Sequence, residues 1–394
     1  MSEQMREIYL DYAAATPVSD SVMHEMMPYF TERFYNPSAP YACARSVKTD
    51  LDNARKRVAS VLGTRPANIT FTAGATEANN LALASSEGRI LVSAIEHDSI
   101  MAPARQRNYS VLAVDKCGHV SVDEVKIRLD DTVELVSIAL ANGEIGTIQP
   151  LRKISKLVQE ERMRRLTAGS RIPLFFHTDA SQAAGAVSVR PASLGVDLMT
   201  LSASKIYGPK QVGLLWHADG VSLHPLIAGG GQELGLRSGT ENVAGIMGFA
   251  RALEEAEKLR GFEVRRLRML SLRLRKALES EISDILFSGP TNVEHRLPGL
   301  VHVSIKGVEA RRLVIALESC HVSVGTGSAC AASKMRVSET LRAIGLDREW
   351  ATGSLRISMG RDTTNEDVDT AAALIIQCVA DERARLSSRG GRNG

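Results

Sequence analysis

Short apolar runs of strand length alternate with amphipathic stretches along most of the chain. The helical pattern is clearest from Val47 to Leu62, where apolar residues recur every three or four positions until Gly63. Runs with strand character lie near residues 69–72, 90–93, 110–114, 134–140, 174–177, 196–201 and 212–216. This β-α-β alternation predicts an α/β fold whose seven-stranded, mostly parallel sheet is flanked by helices on both faces.

The later part of the chain predicts long helices and a second, smaller unit. Residues 246–283 have a helical pattern, with an interruption expected near Gly261, and strands are expected at 299–305 and 354–358. The basic, Ser- and Gly-rich tail after Ala384 is expected to be disordered.

Length indicates how these elements are divided. A chain of 394 residues is too long for one compact core. We predict a large domain at 16–258 and a small α+β domain made of 1–15 and 259–394. The small domain would carry a loop at about 323–340, where small and polar residues dominate.

Charge and cysteine content exclude several classes of protein. The net charge of +3 does not favour nucleic acid or an anionic membrane as a partner. No apolar run reaches the length of a membrane span, and the N-terminus has no targeting signature. The five cysteines are widely spaced without a C-x-x-C pair, so neither a disulfide framework nor a metal site is expected. A reducing cytoplasm is the predicted location.

Polar residues follow the predicted strands at what would be one edge of the sheet. They are Gly74, His97, Asn142, Asp179 and Lys205. Taken singly, each has a simpler interpretation: a capped helix start at Gly74, a core histidine, an N-cap aspartate, a solvated lysine. Because ligands gather at the carboxyl ends of strands in such sheets, the combination changes the interpretation.

Together these residues match what pyridoxal 5'-phosphate requires. The helix start after Gly74, with the hydroxyl of Thr76, suits a phosphate. Asp179 can keep a pyridine nitrogen protonated, and the ring of His97 can stack on the cofactor. Lys205 can form a Schiff base with the aldehyde.

The predicted small domain adds two reactive side chains. Cys330 follows two glycines, Gly325 and Gly327, in a composition typical of a mobile loop, so its thiol is expected to be exposed. Arg356 shares a strand face with two serines and can hold a carboxylate bidentately. A surface ion pair is the alternative interpretation of this arginine.

With these residues assembled, the chain resembles the group I cysteine desulfurases, which are fold-type I pyridoxal-phosphate enzymes. The likeness extends from Tyr9 to about Ala380. The segments that carry it are Y-L-D-Y-A-A-A-T-P-V, F-T-A-G-A-T-E-A-N-N, E-H at 96–97, N-G-E-I-G-T-I-Q-P, H-T-D-A-S-Q, S-K-I-Y-G-P-K, R-S-G-T, G-S-A-C and S-L-R-I-S-M-G-R.

The resemblance implies specific roles. Lys205 would bind the cofactor and move protons, with His97 stacking on the ring and serving in acid–base steps. Arg356 and Asn142 would bind L-cysteine, and Cys330 would take its sulfur as a persulfide for a sulfur-acceptor protein. The remaining cofactor-binding residues implied are Ala75, Thr76, Asp179, Gln182, Ser202, Ser204 and Thr240. Thr240 would reach the phosphate of the other subunit, which implies a homodimer with shared sites.

Three positions differ from the family's usual pattern. Ser204 stands where group I commonly has histidine, Gly143 where it has asparagine, and Tyr41 where it has histidine. The sulfur would serve iron–sulfur cluster assembly or, if these differences mark a specialised branch, the thiolation of tRNA or DNA. The alternative functions are a selenocysteine lyase, an aminotransferase-like enzyme, or a non-catalytic interaction protein that kept the fold.

Overall fold

The structure is a computed structural model that describes residues 6–326 and 338–390. Its helices are α1 (Asp20–Met26), α2 (Pro28–Thr31), α3 (Ala42–Leu62), α4 (Ala75–Ala84), α5 (Asp98–Ala104), α6 (Val122–Arg128), α7 (Leu151–Thr167), α8 (Pro191–Leu194), α9 (Val243–Glu281), α10 (Ala310–Ser319), α11 (Glu339–Ala343), α12 (Arg348–Thr352) and α13 (Asn365–Gly390). Its strands are β1 (Ile8–Tyr9), β2 (Ile69–Thr72), β3 (Arg89–Ser93), β4 (Tyr109–Leu112), β5 (Val133–Ser137), β6 (Phe175–Asp179), β7 (Leu198–Ser202), β8 (Gly213–His217), β9 (Ile285–Phe287), β10 (Leu300–Ile305), β11 (Val322–Ser323) and β12 (Ser354–Ser358).

The large sheet has seven strands in the order β2-β8-β7-β6-β5-β3-β4. All neighbours pair in parallel except β8, which runs antiparallel to both β2 and β7. The predicted seven-stranded, mostly parallel sheet is therefore confirmed. Strands β3, β5, β6 and β7 point their carboxyl ends to one edge, which places the loops that follow them together.

Helices on both faces bury this sheet. The apolar stripe of α3 is fully buried at Val47, Leu51 and Val58, and α3 packs against α9. Gly63 ends α3 in the left-handed conformation, at φ 66°, which a residue with a side chain rarely adopts. Removal of these apolar side chains from water is the main term that holds the layers together.

A second core forms around the smaller sheets. Strands β12-β10-β9 are antiparallel, and β1 pairs in parallel with β11. Leu10 is buried in this core with Leu274 and Leu278 of α9, so α9 contributes to both cores. The domain boundaries at 16 and 259 stay a prediction.

Two predictions about the helices were wrong. Helix α9 continues for 39 residues through Gly261 without a break. A glycine inside an exposed helix costs about 1 kcal/mol, and the flanking ion pairs Arg260–Glu257 and Arg266–Glu263 help to offset that cost.

The C-terminal tail is the second correction. Helix α13 extends to Gly390, where disorder was expected after Ala384. Glu382 pairs with both Arg385 and Arg312, which ties this last part of α13 to α10. Among the described residues, no helix combines the length and apolar character needed to cross a membrane.

Candidate active site

Lys205 lies in the tight turn that joins β7 to β8. Its Nζ donates to the backbone carbonyls of Ala13, at 2.9 Å, and of Ala14, at 2.6 Å. Burial lowers the pKa of Lys205, and the positive charge of Arg356 lowers it further, against the opposing effect of Asp179. An amine held by neutral carbonyls and partly desolvated loses its proton more readily than a solvated lysine.

The N-terminal segment is bound tightly to the lysine turn. Thr16 donates its hydroxyl to the carbonyl of Ser204 at 3.1 Å and accepts from the backbone N–H of Tyr207 at 2.8 Å. Tyr207 has φ 65°, an unusual conformation for a residue with a side chain. Its hydroxyl accepts from the N–H of Arg361 at 2.6 Å, so both flanks of the turn are fixed.

A glycine turn leads from β2 into α4. Gly74 has φ 124° and open space where a Cβ would lie, while a Cβ on Gly213 would be 2.6 Å from the carbonyl carbon of Gly74. The turn therefore packs directly on β8, and α4 begins beside the lysine turn. Thr76 is exposed in the first turn of α4. The hydroxyls of Ser202 and Ser204 lie 3.0 Å apart at the end of β7.

Asp179 ends β6, with its carboxylate held on two sides. One oxygen accepts from the N–H of Ser181 at 2.9 Å, and the other from the amide of Asn79 at 2.7 Å. Gln182 donates from Nε2 to the carbonyl of Ala13 at 3.0 Å. Lys205 and Gln182 therefore share one acceptor, and the structure brings these two predicted residues together.

His97 caps the start of α5. Its Nδ1 accepts from the N–H of Ser99 at 3.1 Å, and the Ser99 hydroxyl lies 2.9 Å away. The neighbouring Glu96 accepts from the N–H of Ala139 at 2.9 Å. Burial, together with the charge of Asp179, raises the pKa of Glu96 to about 8, which favours its protonated form at neutral pH.

Arg356 lies on β12, and only 6% of the residue is exposed. Its guanidinium donates to Asp11 at 2.7 Å and to the carbonyl of Gly143 at 3.2 Å. Asn142 forms the turn beside it: the side-chain carbonyl accepts from the N–H groups of Glu144 and Ile145, both at 2.9 Å. The alternative of a surface ion pair for Arg356 is wrong, because the arginine is buried.

Two predicted residues stand apart from this cluster. Thr240 is exposed in the loop before α9, on the surface of the single chain. Cys330 lies outside the described residues. The described segments on either side are Gly325, which pairs with the backbone of Arg356, and Ser338, which donates its hydroxyl to Glu144 at 2.8 Å.

Sequence reasoning missed the residues that support this cluster. They are the carbonyl groups of Ala13 and Ala14, the carboxylates of Asp11 and Glu144, and the side chains of Asn79 and Ser99. Backbone carbonyls leave no signal in a sequence. Asp11, Asn79 and Glu144 do lie inside three of the motifs quoted above, but their roles depend on tertiary contacts between distant segments.

The residues present fit pyridoxal phosphate. The helix start at Gly74 and the paired hydroxyls of Ser202 and Ser204 supply donors suited to a phosphate. Asp179 supplies the carboxylate that a protonated pyridine nitrogen needs. Lys205 supplies a partly desolvated amine for the aldehyde.

Comparison with known proteins assigns the class. The aminotransferase class-V family matches residues 8–371. The cysteine desulfurase IscS of Clostridium botulinum strain Hall is 37% identical over 390 residues, which is 96% of each chain. The solved structure of a NifS-like protein superposes with a TM-score of 0.87 at 31% identity, over 95% of this chain and 100% of that one.

A third comparison concerns a structure described as SspA in complex with cysteine. It has a TM-score of 0.74 at 29% identity, over 90% of this chain and 99% of that one. The chain belongs to the class-V aminotransferase family, and within it to the cysteine desulfurases. The predictions of the fold, of the enzyme class and of pyridoxal phosphate as cofactor are confirmed.

Proposed function

We propose that the protein transfers sulfur from L-cysteine to Cys330 and from there to an acceptor protein, with L-alanine as the other product. The observation that carries this proposal is the arrangement of two unlike cations. Lys205 has a lowered pKa and neutral partners, while Arg356 is a permanently charged group beside it. A site that acts on an amino acid needs both kinds of group: a cation that binds the substrate carboxylate and a base that accepts protons from the substrate carbons.

The residues divide the work as follows. Ala75, Thr76, Ser202 and Ser204 would bind the cofactor phosphate, Gln182 its phenolic oxygen and Asp179 its ring nitrogen. The bound cofactor supplies an electron sink that weakens bonds at the substrate's Cα and Cβ. Arg356 and Asn142 orient the substrate. Lys205 and His97 accept and return protons at the substrate carbons.

Sulfur leaves through Cys330. Its thiolate forms an S–S bond to the substrate sulfur as the Cβ–S bond breaks. The electron pair of the broken bond stays with Cβ, and a proton completes the methyl group of alanine. Cys330 is then a persulfide, from which the outer sulfur passes to an acceptor thiol.

The partners form the finer part of the proposal. Thr240 is exposed in the single chain, which suits a homodimer in which it reaches the partner's phosphate site. An iron–sulfur scaffold or a thiolation enzyme would receive the sulfur. We place the reaction in the cytoplasm, since free thiols persist in a reducing compartment.

The test is incubation of the purified holoenzyme with L-cysteine. Alanine should form, and mass spectrometry should find one added sulfur on the peptide that contains Cys330. Cys330→Ala should form no persulfide there, whereas Cys43→Ala, which removes an exposed thiol elsewhere, should behave as wild type. Full sulfur delivery to an acceptor thiol by Cys330→Ala would exclude this mechanism and favour a lyase that releases sulfur directly.

A further inference from the structure

We propose that Asn79 and Ser99 are positioning residues that join the ring of His97 to the carboxylate of Asp179 by one continuous chain of hydrogen bonds. The amide nitrogen of Asn79 lies 2.7 Å from Oδ2 of Asp179 and 2.8 Å from Oγ of Ser99. Oγ of Ser99 in turn lies 2.9 Å from Nδ1 of His97. The inference rests on the proposed roles of His97 and Asp179 and deepens them.

The direction of each bond follows from the chemistry of the ends. An ionised Asp179 only accepts, so the Asn79 amide must present its NH₂ group there. Its second N–H is then directed to Ser99 Oγ, which leaves the Ser99 hydroxyl proton for Nδ1 of His97. The N–H of Ser99 also donates to this Nδ1, at 3.1 Å. Nδ1 is therefore an acceptor, and the neutral His97 ring carries its proton on Nε2.

Burial of Asn79 and Ser99 restricts the motion of this chain of hydrogen bonds. Asn79 is fully buried and Ser99 is 7% exposed, so the bond between them is shielded from water, whereas His97 at the end of the chain of hydrogen bonds is exposed. Both N–H groups of the amide are used, so its nitrogen end is held by two acceptors, while its Oδ1 is buried without a partner among the described residues. Asn79 also lies one turn after Ala75 on α4, so one helix connects the proposed phosphate turn to Asp179.

The consequence is that two cofactor contacts are set together. Asp179 is held in a fixed orientation at the end of β6. His97, which lies in a different loop, accepts at Nδ1 from the backbone N–H of Ser99, and the Ser99 hydroxyl that Asn79 orients is the second donor to the same nitrogen. A change at Ser99, which does not touch Asp179, should therefore alter a property that depends on Asp179.

A double-mutant cycle tests this coupling. The dissociation constant of pyridoxal phosphate would be measured for holoenzyme preparations of wild type, Ser99→Ala, Asn79→Leu and the double variant. We expect each single substitution to weaken binding about fivefold. The double variant should be within about twofold of the weaker single variant, because both substitutions break the same chain.

A second readout does not depend on affinity. In holoenzyme labelled with ¹⁵N-histidine, the His97 ring should show an unprotonated Nδ1 and a protonated Nε2. Asn79→Leu should shift the Nδ1 signal, because the Ser99 hydroxyl loses the partner that orients it towards His97. Ser99→Thr, which retains the hydroxyl, should preserve the wild-type signal. Asn53→Leu, which removes an exposed amide on α3, should leave both readouts unchanged.

Additive losses of about 25-fold in the double variant, or an unaltered His97 pattern in Asn79→Leu, would overturn the proposal. Neither readout involves Cys330 or sulfur. Failure of the coupling is therefore distinguishable from failure of the proposed sulfur transfer.

Discussion

The two cations of the site are held in opposite ways. Lys205 docks on the neutral carbonyls of Ala13 and Ala14, and burial lowers its pKa. Arg356 docks on the carboxylate of Asp11, which compensates its buried charge. Both sets of contacts come from one N-terminal segment, Asp11 to Ala14.

The difference matches the chemistry asked of each residue. A lysine that must lose its proton is best held by groups that do not stabilise the ammonium as strongly as an anion would. An arginine that must stay charged and oriented is best held by an anion and a carbonyl. Four consecutive residues therefore support a reactive amine and a fixed anchor side by side.

The largest effect is expected on the lysine side. Lys205→Ala should abolish covalent attachment of the cofactor and lower the turnover of cysteine by at least ~10³-fold. The visible band of the Schiff base, which borohydride reduction abolishes in the wild type, would measure attachment and should be absent from the variant. Lys210→Ala is the matched control, since Lys210 also donates to a backbone carbonyl, that of Thr16 two residues beyond this segment, at 2.9 Å, but is exposed. Equal losses in both variants would contradict the special role of Lys205.

The next effect is expected on the arginine side. Arg356→Gln should raise KM for cysteine by about 100-fold, because it removes a charge-assisted contact to the substrate carboxylate. Asp11→Asn should raise KM by about tenfold with little change in kcat, because the guanidinium loses its orienting anion. Steady-state kinetics measure both, with exposed Asp20→Asn as the control. A lower KM in Asp11→Asn would show that Asp11 competes with the substrate instead of orienting Arg356.

Glu96, which is buried near the charge of Asp179, gives a prediction of how stability depends on pH. The pKa of Glu96 is about 8 in the folded protein, above its ordinary value of 4.5. The folded state therefore binds more protons than the unfolded state between these values, and stability falls as pH rises towards 8. Between pH 6.5 and 8 this fall should be on the order of 2 kcal/mol.

Glu96→Gln should remove that part of the fall, because a glutamine does not ionise. Denaturant unfolding at pH 6.5 and pH 8 measures the difference. Glu87→Gln, at an exposed position, should keep the wild-type pH dependence. The same fall in stability in Glu96→Gln would assign the effect to another group.

The sequence was sufficient for the large sheet and for the residues that approach its edge. Each strand was short, apolar and followed by turn residues, and parallel pairing then brings those turns to one edge. Helix α9 was the main failure, since the penalty of Gly261 was visible and the ion pairs that offset it were not. The hydrogen-bond partners of Lys205 could not be predicted either, because a backbone carbonyl such as that of Ala13 leaves no pattern in the sequence. Its position depends on contacts between segments about 190 residues apart.

Gly143 lies between the contacts of Lys205 and those of Arg356, and substitution of this glycine has the smallest expected effect. Its carbonyl accepts from Arg356, and a Cβ at this position would lie 2.7 Å from Cδ of Gln182, which shares the Ala13 carbonyl with Lys205. Gly143→Asn, which restores the residue usual in the family, should displace Gln182 and weaken pyridoxal phosphate binding about fivefold.

Cofactor titration followed by absorbance would measure this loss. Gly169→Asn, at a glycine with open space around its Cβ position and a φ of 76° that asparagine tolerates, is the control. If Gly143→Asn raised KM for cysteine without weakening cofactor binding, the substitution would act on substrate binding at Arg356 and not on the cofactor contacts of Gln182. The lysine and arginine contacts would then be separable at Gly143, which bonds Arg356 and lies against Gln182, whose acceptor Lys205 shares.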